Sequence, residues 1–226
     1  MSRIPTFVTA SEHVYSVLKQ WVLSGELAPG EKIDQDAVAA RLGVSKMPVR
    51  SALDKLAAQD LVLLHSHRGV TVTPLSAQHL EDIYLVRCNL EGLAVQLATE
   101  QLTPEDVTLL NGMIQKQEEL AYQESLDTEA ILAANREFHM FIYGLAQRPV
   151  LMSIIERLWE QSERYRRILL IQPGMVDGSL NEHRHLVELM TRKEAEEASR
   201  FLVEHNRKTQ KVVLSVMQNN ENSEER

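Results

Sequence analysis

The residues from Asp34 to Gly69, DQDAVAARLGVSKMPVRSALDKLAAQDLVLLHSHRG, leave few folds open. Asp34 can cap a first helix by accepting from its free amides. Ala37, Val38 and Leu42 then recur at helical spacing. Gly43 stands where a helix ends with positive φ. Val44 fills the angle before a second helix, and Ser45 is expected to cap that helix. Pro48 lies within its first turn, where a missing N–H costs nothing. Val49, Ala52, Leu53 and Leu56 make the buried stripe, and Lys46, Arg50 and Ser51 are left on another face. Leu61–Leu64 and Val70–Thr73 are β-prone runs around the basic tip Ser66–Gly69. Two helices joined by a glycine turn and followed by a hairpin make a winged helix-turn-helix, a unit shaped to enter a DNA groove.

The net charge of −8 runs against that reading until it is divided along the chain. Residues 1–75 hold 8 Lys+Arg and 7 Asp+Glu, leaving 16 and 25 in the remainder. The acid therefore sits in a second region that need not face phosphates. With few basic groups in the first, nonspecific DNA affinity should be modest and salt-sensitive, and a dimer would double the contacts. A single cysteine, Cys88, excludes an intrachain disulfide. No stretch approaches the apolar length of a membrane span, and the residues up to Val14 lack the apolar core of a signal peptide. A cytoplasmic protein without membrane contact is expected.

Past Pro74 the β signal stops. Helical periodicity runs from Ser76 to Thr99, from the Thr103-Pro104 start to about Gln123, and over about Asp127–Ala146, Pro149–Ile171, Ser179–Thr191 and Lys193–Gln218. Gln172–Gly178 reads as a loop. The expected fold is mainly α: a winged helix-turn-helix over residues 1–74, an all-α bundle of about six helices over 75–218, and a disordered tail over 219–226.

The bundle's chemistry lies in its histidines. Asn135 and His139 share one face of a helix, and His183 and His205 lie on two later helices. Four side chains from three helices could meet at one point, and imidazole suits Zn, Ni, Cu and Fe. Spacing alone leaves two readings open, a metal cluster or hydrogen-bonded core histidines. Arg87 offers a fork for an effector carboxylate; its other reading is an ion pair with Glu91 one turn on. Arg164, Tyr165 and Arg167 form a further cluster, either effector-binding or surface. Trp21, Trp159 and Cys88 read as packing residues.

Two resemblances follow from these residues. LSGELAPGEKI (Leu23–Ile33), LGVSKMPVRSAL (Leu42–Leu53) and HRGV (His67–Val70) resemble signatures of GntR-type transcriptional regulators over roughly Val14 to Pro74. That resemblance implies a homodimer on a palindromic double-stranded operator, with Ser45, Lys46 and Arg50 as recognition-helix contacts and Arg68 and Gly69 at the wing. Many relatives have Arg at Lys46 and Glu at Ser51. Lysine cannot make the arginine fork on guanine, so Arg50 is the better base reader and Lys46 suits phosphate. NREFH (Asn135–His139), Glu182-His183, Ala195–His205 and Arg87–Glu91 resemble the FCD effector domain of the FadR/VanR branch, over roughly Ser76 to Val216. That implies a divalent metal, Zn or Ni, held by His139, His183, His205 and Asn135, with a small organic acid completing the shell. Asn135 stands where aspartate is frequent; a neutral ligand weakens metal binding and strengthens the pull on an anion, and a metal-free site is the other outcome. The expected function is a transcriptional regulator, of repressor type, modulated by a small carboxylate. A metal sensor is the alternative. A metal-dependent enzyme is a third reading, disfavoured because no nucleophile elbow, phosphate loop or nucleotide signature is present.

Overall fold

The computed structural model describes residues 9–66, 68–123, 127–170 and 175–224, and the chain divides into two compact units at Ser76/Ala77. The N-terminal unit runs α1 (Ala10–Ser24), β1 (Lys32–Ile33), α2 (Gln35–Leu42), α3 (Lys46–Ala57), β2 (Val62–His65) and β3 (Gly69–Val72). Thr9 and Glu12 close a capping box at the start of α1. Asp34 accepts from the amides of Asp36 and Ala37, and Gly43 ends α2 at φ 64°. Ser45 is at the N-cap of α3 but makes no capping bond with its side chain. Val14, Leu18 and Trp21 of α1 pack with Val49, Leu53 and Leu56 of α3 and with Val62, Val70 and Val72 of the sheet. The strands are antiparallel in the order β1-β3-β2, with His65 opposite Gly69 at the wing tip. Gly69 has φ 96°, a conformation that favours glycine. His67, part of the expected wing, lies outside the described residues.

The described elements of the second unit are all helices: α4 (Ala77–Gln101), α5 (Pro104–Ala121), α6 (Thr128–Leu145), α7 (Pro149–Leu170), α8 (Met175–Thr191) and α9 (Ala195–Glu224). Thr103 and Asp106 close a capping box around Pro104, and Asp127 caps α6. Helices α4 and α9 meet at Gly92, where a Cβ would lie 3.0 Å from Ser199 Oγ and 3.1 Å from Val203 Cγ2. The end of α4 is closed from outside: Lys193 Nζ donates to the carbonyls of Thr99 (3.0 Å) and Leu102 (2.6 Å), a cation where the helix leaves oxygens unpaired. Ala94, Ala98, Leu110, Phe138, Ile142, Trp159, Leu186 and Leu202 form the centre of the core.

Two expectations are corrected. Gly178 is inside α8 and not in a loop, because helix begins at Met175; residues 171–174 lie outside the description. The tail expected from Asn219 is helical to Glu224. No Gly or Pro interrupts it, and extending a formed helix adds one hydrogen bond per residue without a new nucleus; residues 225–226 are not described.

Candidate functional site

The N-terminal unit presents one polar helix face. Burying Val49, Ala52, Leu53 and Leu56 turns Lys46, Met47, Arg50, Ser51 and Asp54 to solvent. Lys46 Nζ sits 2.5 Å from Asp36 Oδ1, an exposed pair that phosphate can displace. Ser51 Oγ bonds Ser11 Oγ at 3.0 Å. Ser45, Arg50 and Arg68 are exposed, and Gly69 is partly so.

In the second unit His139 from α6, His183 from α8 and His205 from α9 converge. Their ring centroids are 5.0, 5.5 and 5.7 Å apart, and one ring nitrogen of each lies within 4.8 Å of the others. Each Nδ1 has its own partner. His139 Nδ1 is 3.2 Å from Tyr143 Oη, whose proton goes to Glu91 Oε2 at 2.6 Å. His183 Nδ1 is 3.0 Å from Gln117 Oε1, and His205 Nδ1 is 2.6 Å from Glu182 Oε2. Donating Nδ1–H to these three oxygens leaves a lone pair on every Nε2. That tautomer set is what a divalent ion requires of imidazole ligands, with outer oxygens orienting the rings. The spread is slightly wider than two Zn–N bonds of about 2 Å can span, within the reach of small ring rotations, so the residues fit a metal.

Burial holds the imidazoles of His139 and His183 well below the usual histidine range, helped by the charge of His183 and His205 on His139, of His205 on His183, and of Arg166 on both. For Glu182 burial acts upward, but the hydrogen bonds from His205 and Lys208 outweigh it and bring the carboxyl to about 2.

Asn135, the expected fourth ligand, faces a cation in this structure. With its amide assigned so that the oxygen meets donors, Asn135 accepts from Arg166 Nη1 at 3.3 Å and also from Nη2. The Arg166 guanidinium stacks 4.2 Å from the Trp159 ring centroid, and burial lowers it to about 10. It makes no ion pair among the described residues. Gln117 Nε2, on the amide that holds His183, is buried without a partner among the described residues.

Arg87 is not available as an effector fork. Its Nε donates to Glu91 Oε1 at 2.6 Å, with both side chains essentially inaccessible, and Nη1 donates to Ser162 Oγ at 2.8 Å. The four-residue spacing on one helix face produces the pair. Burial opposes the Arg87 charge, but Glu91 outweighs it and raises the guanidinium further above its ordinary value. Glu91 also accepts from Trp159 Nε1 (2.9 Å) and Asn206 Nδ2 (2.8 Å). Arg164 and Tyr165 are buried and Arg167 pairs with Glu129, so that cluster does not form one effector face.

Sequence reasoning passed over Glu91's role as a hub, Gln117, Tyr143 and Arg166. Tyr143 could have been found, four residues after His139. Gln117 carries no local signal, because the contact with His183 spans 66 positions.

Comparison with known proteins agrees with both halves. Residues 10–72 match the family described as bacterial regulatory proteins, gntR family, and residues 82–208 match the FCD domain. The HTH-type transcriptional regulator McbR of Escherichia coli is 34% identical over 67% of this chain and 68% of its own length. The HTH-type transcriptional repressor GlaR of the same species is 28% identical over 84% and 90%. A solved structure of E. coli McbR/YncC superposes with a TM-score of 0.77 at 28% identity, covering 92% of this chain and 99% of that one. These relatives are transcriptional regulators, and the enzyme reading falls with them. The chain belongs to the gntR family of bacterial regulatory proteins, in the group that carries an FCD domain, and is a DNA-binding transcriptional regulator.

Proposed function

We propose that this regulator is a cytoplasmic homodimeric repressor whose grip on a pseudo-palindromic operator is modulated by a small organic acid bound in the helical unit, beside a Zn or Ni ion on His139, His183 and His205. Ser45, Lys46 and Arg50 of α3 contact the major groove, and Arg68 and Gly69 contact the backbone at the wing. The repressor sign is supported by the likeness to GlaR. Leu85 and Leu93 of α4 and Val150 and Ile154 of α7 are exposed apolar side chains that a second subunit could cover. Among the described residues no helix is long and apolar enough to cross a membrane.

The observation that carries the effector reading is an excess of donors beside the imidazole cluster. Among the described residues the Arg166 cation has only the neutral Asn135 oxygen opposite it, and Gln117 Nε2 has no acceptor. A buried donor without an acceptor costs about 1–3 kcal/mol, more when charged, so an acceptor-rich ligand gains by binding there. A bound metal would add a Lewis-acid contact for a carboxylate oxygen. Arg166 would orient the acid by its fork, and Asn135, released from Arg166, could turn its oxygen toward the rings. The ligand changes operator affinity only as far as it binds one DNA-competence state better than the other.

The test is a thermal-shift panel of small mono- and dicarboxylates, with and without Zn²⁺, followed by operator binding by fluorescence anisotropy. An acid that raises the melting temperature of the parent, but not of Arg166→Gln, and that weakens operator binding supports the proposal. A panel in which stabilising acids leave DNA affinity unchanged, or stabilise Arg166→Gln equally, refutes it.

A further inference from the structure

The exposed face of α3 contains one residue that the electrostatics of DNA binding does not use. Met47 is 73% exposed, more than any other large apolar side chain described in the N-terminal unit. It lies in the first turn of the helix, between Lys46 and the proline, with Arg50 one turn along. Side chains on a helix lean toward its N-terminus, and the N-terminal part of a recognition helix approaches the base edges. Lys46 and Arg50 on either side of this position provide for phosphate and guanine. The thioether packs against nothing in the core, so core packing does not account for an apolar residue there.

The major groove presents one apolar group among its donors and acceptors, the C5 methyl of thymine. An unbranched, polarisable side chain with three rotatable bonds suits contact with it. We propose that Met47 is a specificity determinant of this regulator: it covers a thymine methyl in each operator half-site, next to the positions read by Arg50. The contact discriminates T·A from C·G without a hydrogen bond. It rests on operator binding through α3, which the experiment checks first.

Operators are selected from a random duplex pool with the full-length chain, and each thymine of the best site is replaced singly by deoxyuridine, which pairs identically and lacks only the methyl. For the parent protein, one position per half-site should weaken binding by about fourfold, the effect of exposing one methyl-sized apolar group. Met47→Ala should bind with the same salt dependence, since no phosphate contact is lost, but should be insensitive to deoxyuridine at that position. It should also relax the thymine preference in a repeated selection. Met47→Leu should retain the sensitivity. Equal penalties in the parent and Met47→Ala, or a selected site with no methyl-dependent position, overturn the proposal alone. Failure of the parent to enrich any site overturns it together with the operator-binding role of α3.

Discussion

Replacing Glu91 by Gln should destabilise the helical unit far more than a change of one atom suggests. The side chain is fully buried and serves Arg87, Tyr143, Trp159 and Asn206 at 2.6–2.9 Å. Glutamine keeps the volume and one acceptor oxygen, but it strips the buried guanidinium of Arg87 of the carboxylate that Glu91 supplies. Breaking a buried pair from one side costs about 3–5 kcal/mol, and turning one oxygen into a donor opposite Tyr143 or Trp159 adds about 1 kcal/mol or more. The expected loss is about 4–6 kcal/mol. The double variant Arg87→Met/Glu91→Gln removes the stranded charge, so its loss should be about 2–3 kcal/mol, smaller than that of Glu91→Gln alone. Urea unfolding followed by tryptophan fluorescence in a Trp21→Phe background reports the helical unit, because Trp159 is then the sole tryptophan. Protomer concentration must be held constant, since association shifts apparent stability. A Glu91→Gln loss below about 1 kcal/mol, or a double variant less stable than the single, would refute the argument that Glu91 compensates a buried charge.

Other expectations follow from the two sites. Arg50→Ala should weaken specific operator binding by about 1–3 kcal/mol per half-site and blur preference at one base pair, whereas Lys46→Ala should weaken binding evenly across sequences and lower the salt slope by about one per subunit; anisotropy titrations at several salt concentrations separate the two, and equal effects would dissolve the distinction. Gln117→Leu, which removes the oxygen orienting His183, should reduce zinc affinity by about 10- to 100-fold, and His139→Ala should abolish stoichiometric zinc in metal analysis of the purified protein; unchanged zinc in both would remove the cluster as a metal site. His139 and His183 are held neutral when folded, so the unfolded chain binds more protons below its histidine pKa of about 6.5. Stability of the metal-free helical unit should therefore fall as pH drops from 7 to 5, by up to about 1.4 kcal/mol per pH unit for each histidine. The slope should flatten in His139→Leu and His183→Leu, and an unchanged slope would contradict the assigned neutrality.

The DNA-reading unit was legible because its determinants are local. Asp34, Gly43, Pro48 and the apolar stripe of α3 act within a turn or two of themselves, and the helices begin and end where these residues require. Helix α1 and strand β1 were not read from the sequence; the two residues of β1 become strand by pairing with β3 and carry no periodicity of their own. The convergence of His139, His183 and His205 was legible as a possibility, since helical spacing fixes which face each occupies. What closes around them was not. Gln117 reaches His183 from another helix, Arg166 takes the oxygen of Asn135, and Glu91 collects donors from three other helices. Such contacts depend on the registry of packed helices, which no short segment encodes. Arg87 lay between: the i,i+4 partner was visible, but only burial shows that the pair excludes a ligand.

Glu182 and His183 are consecutive on α8, yet one orients the ring of His205 on α9 while the other contributes its own ring. Successive helical residues point about 100° apart, so a small rotation of α8 moves both at once. It draws His183 along its arc and tilts His205 through the carboxylate. Helix α8 therefore works as a crank whose angle sets two of the three ring positions together. An occupant that selects one ring spacing selects one rotation of that helix, and a local chemical event becomes a rigid-body setting of the helix.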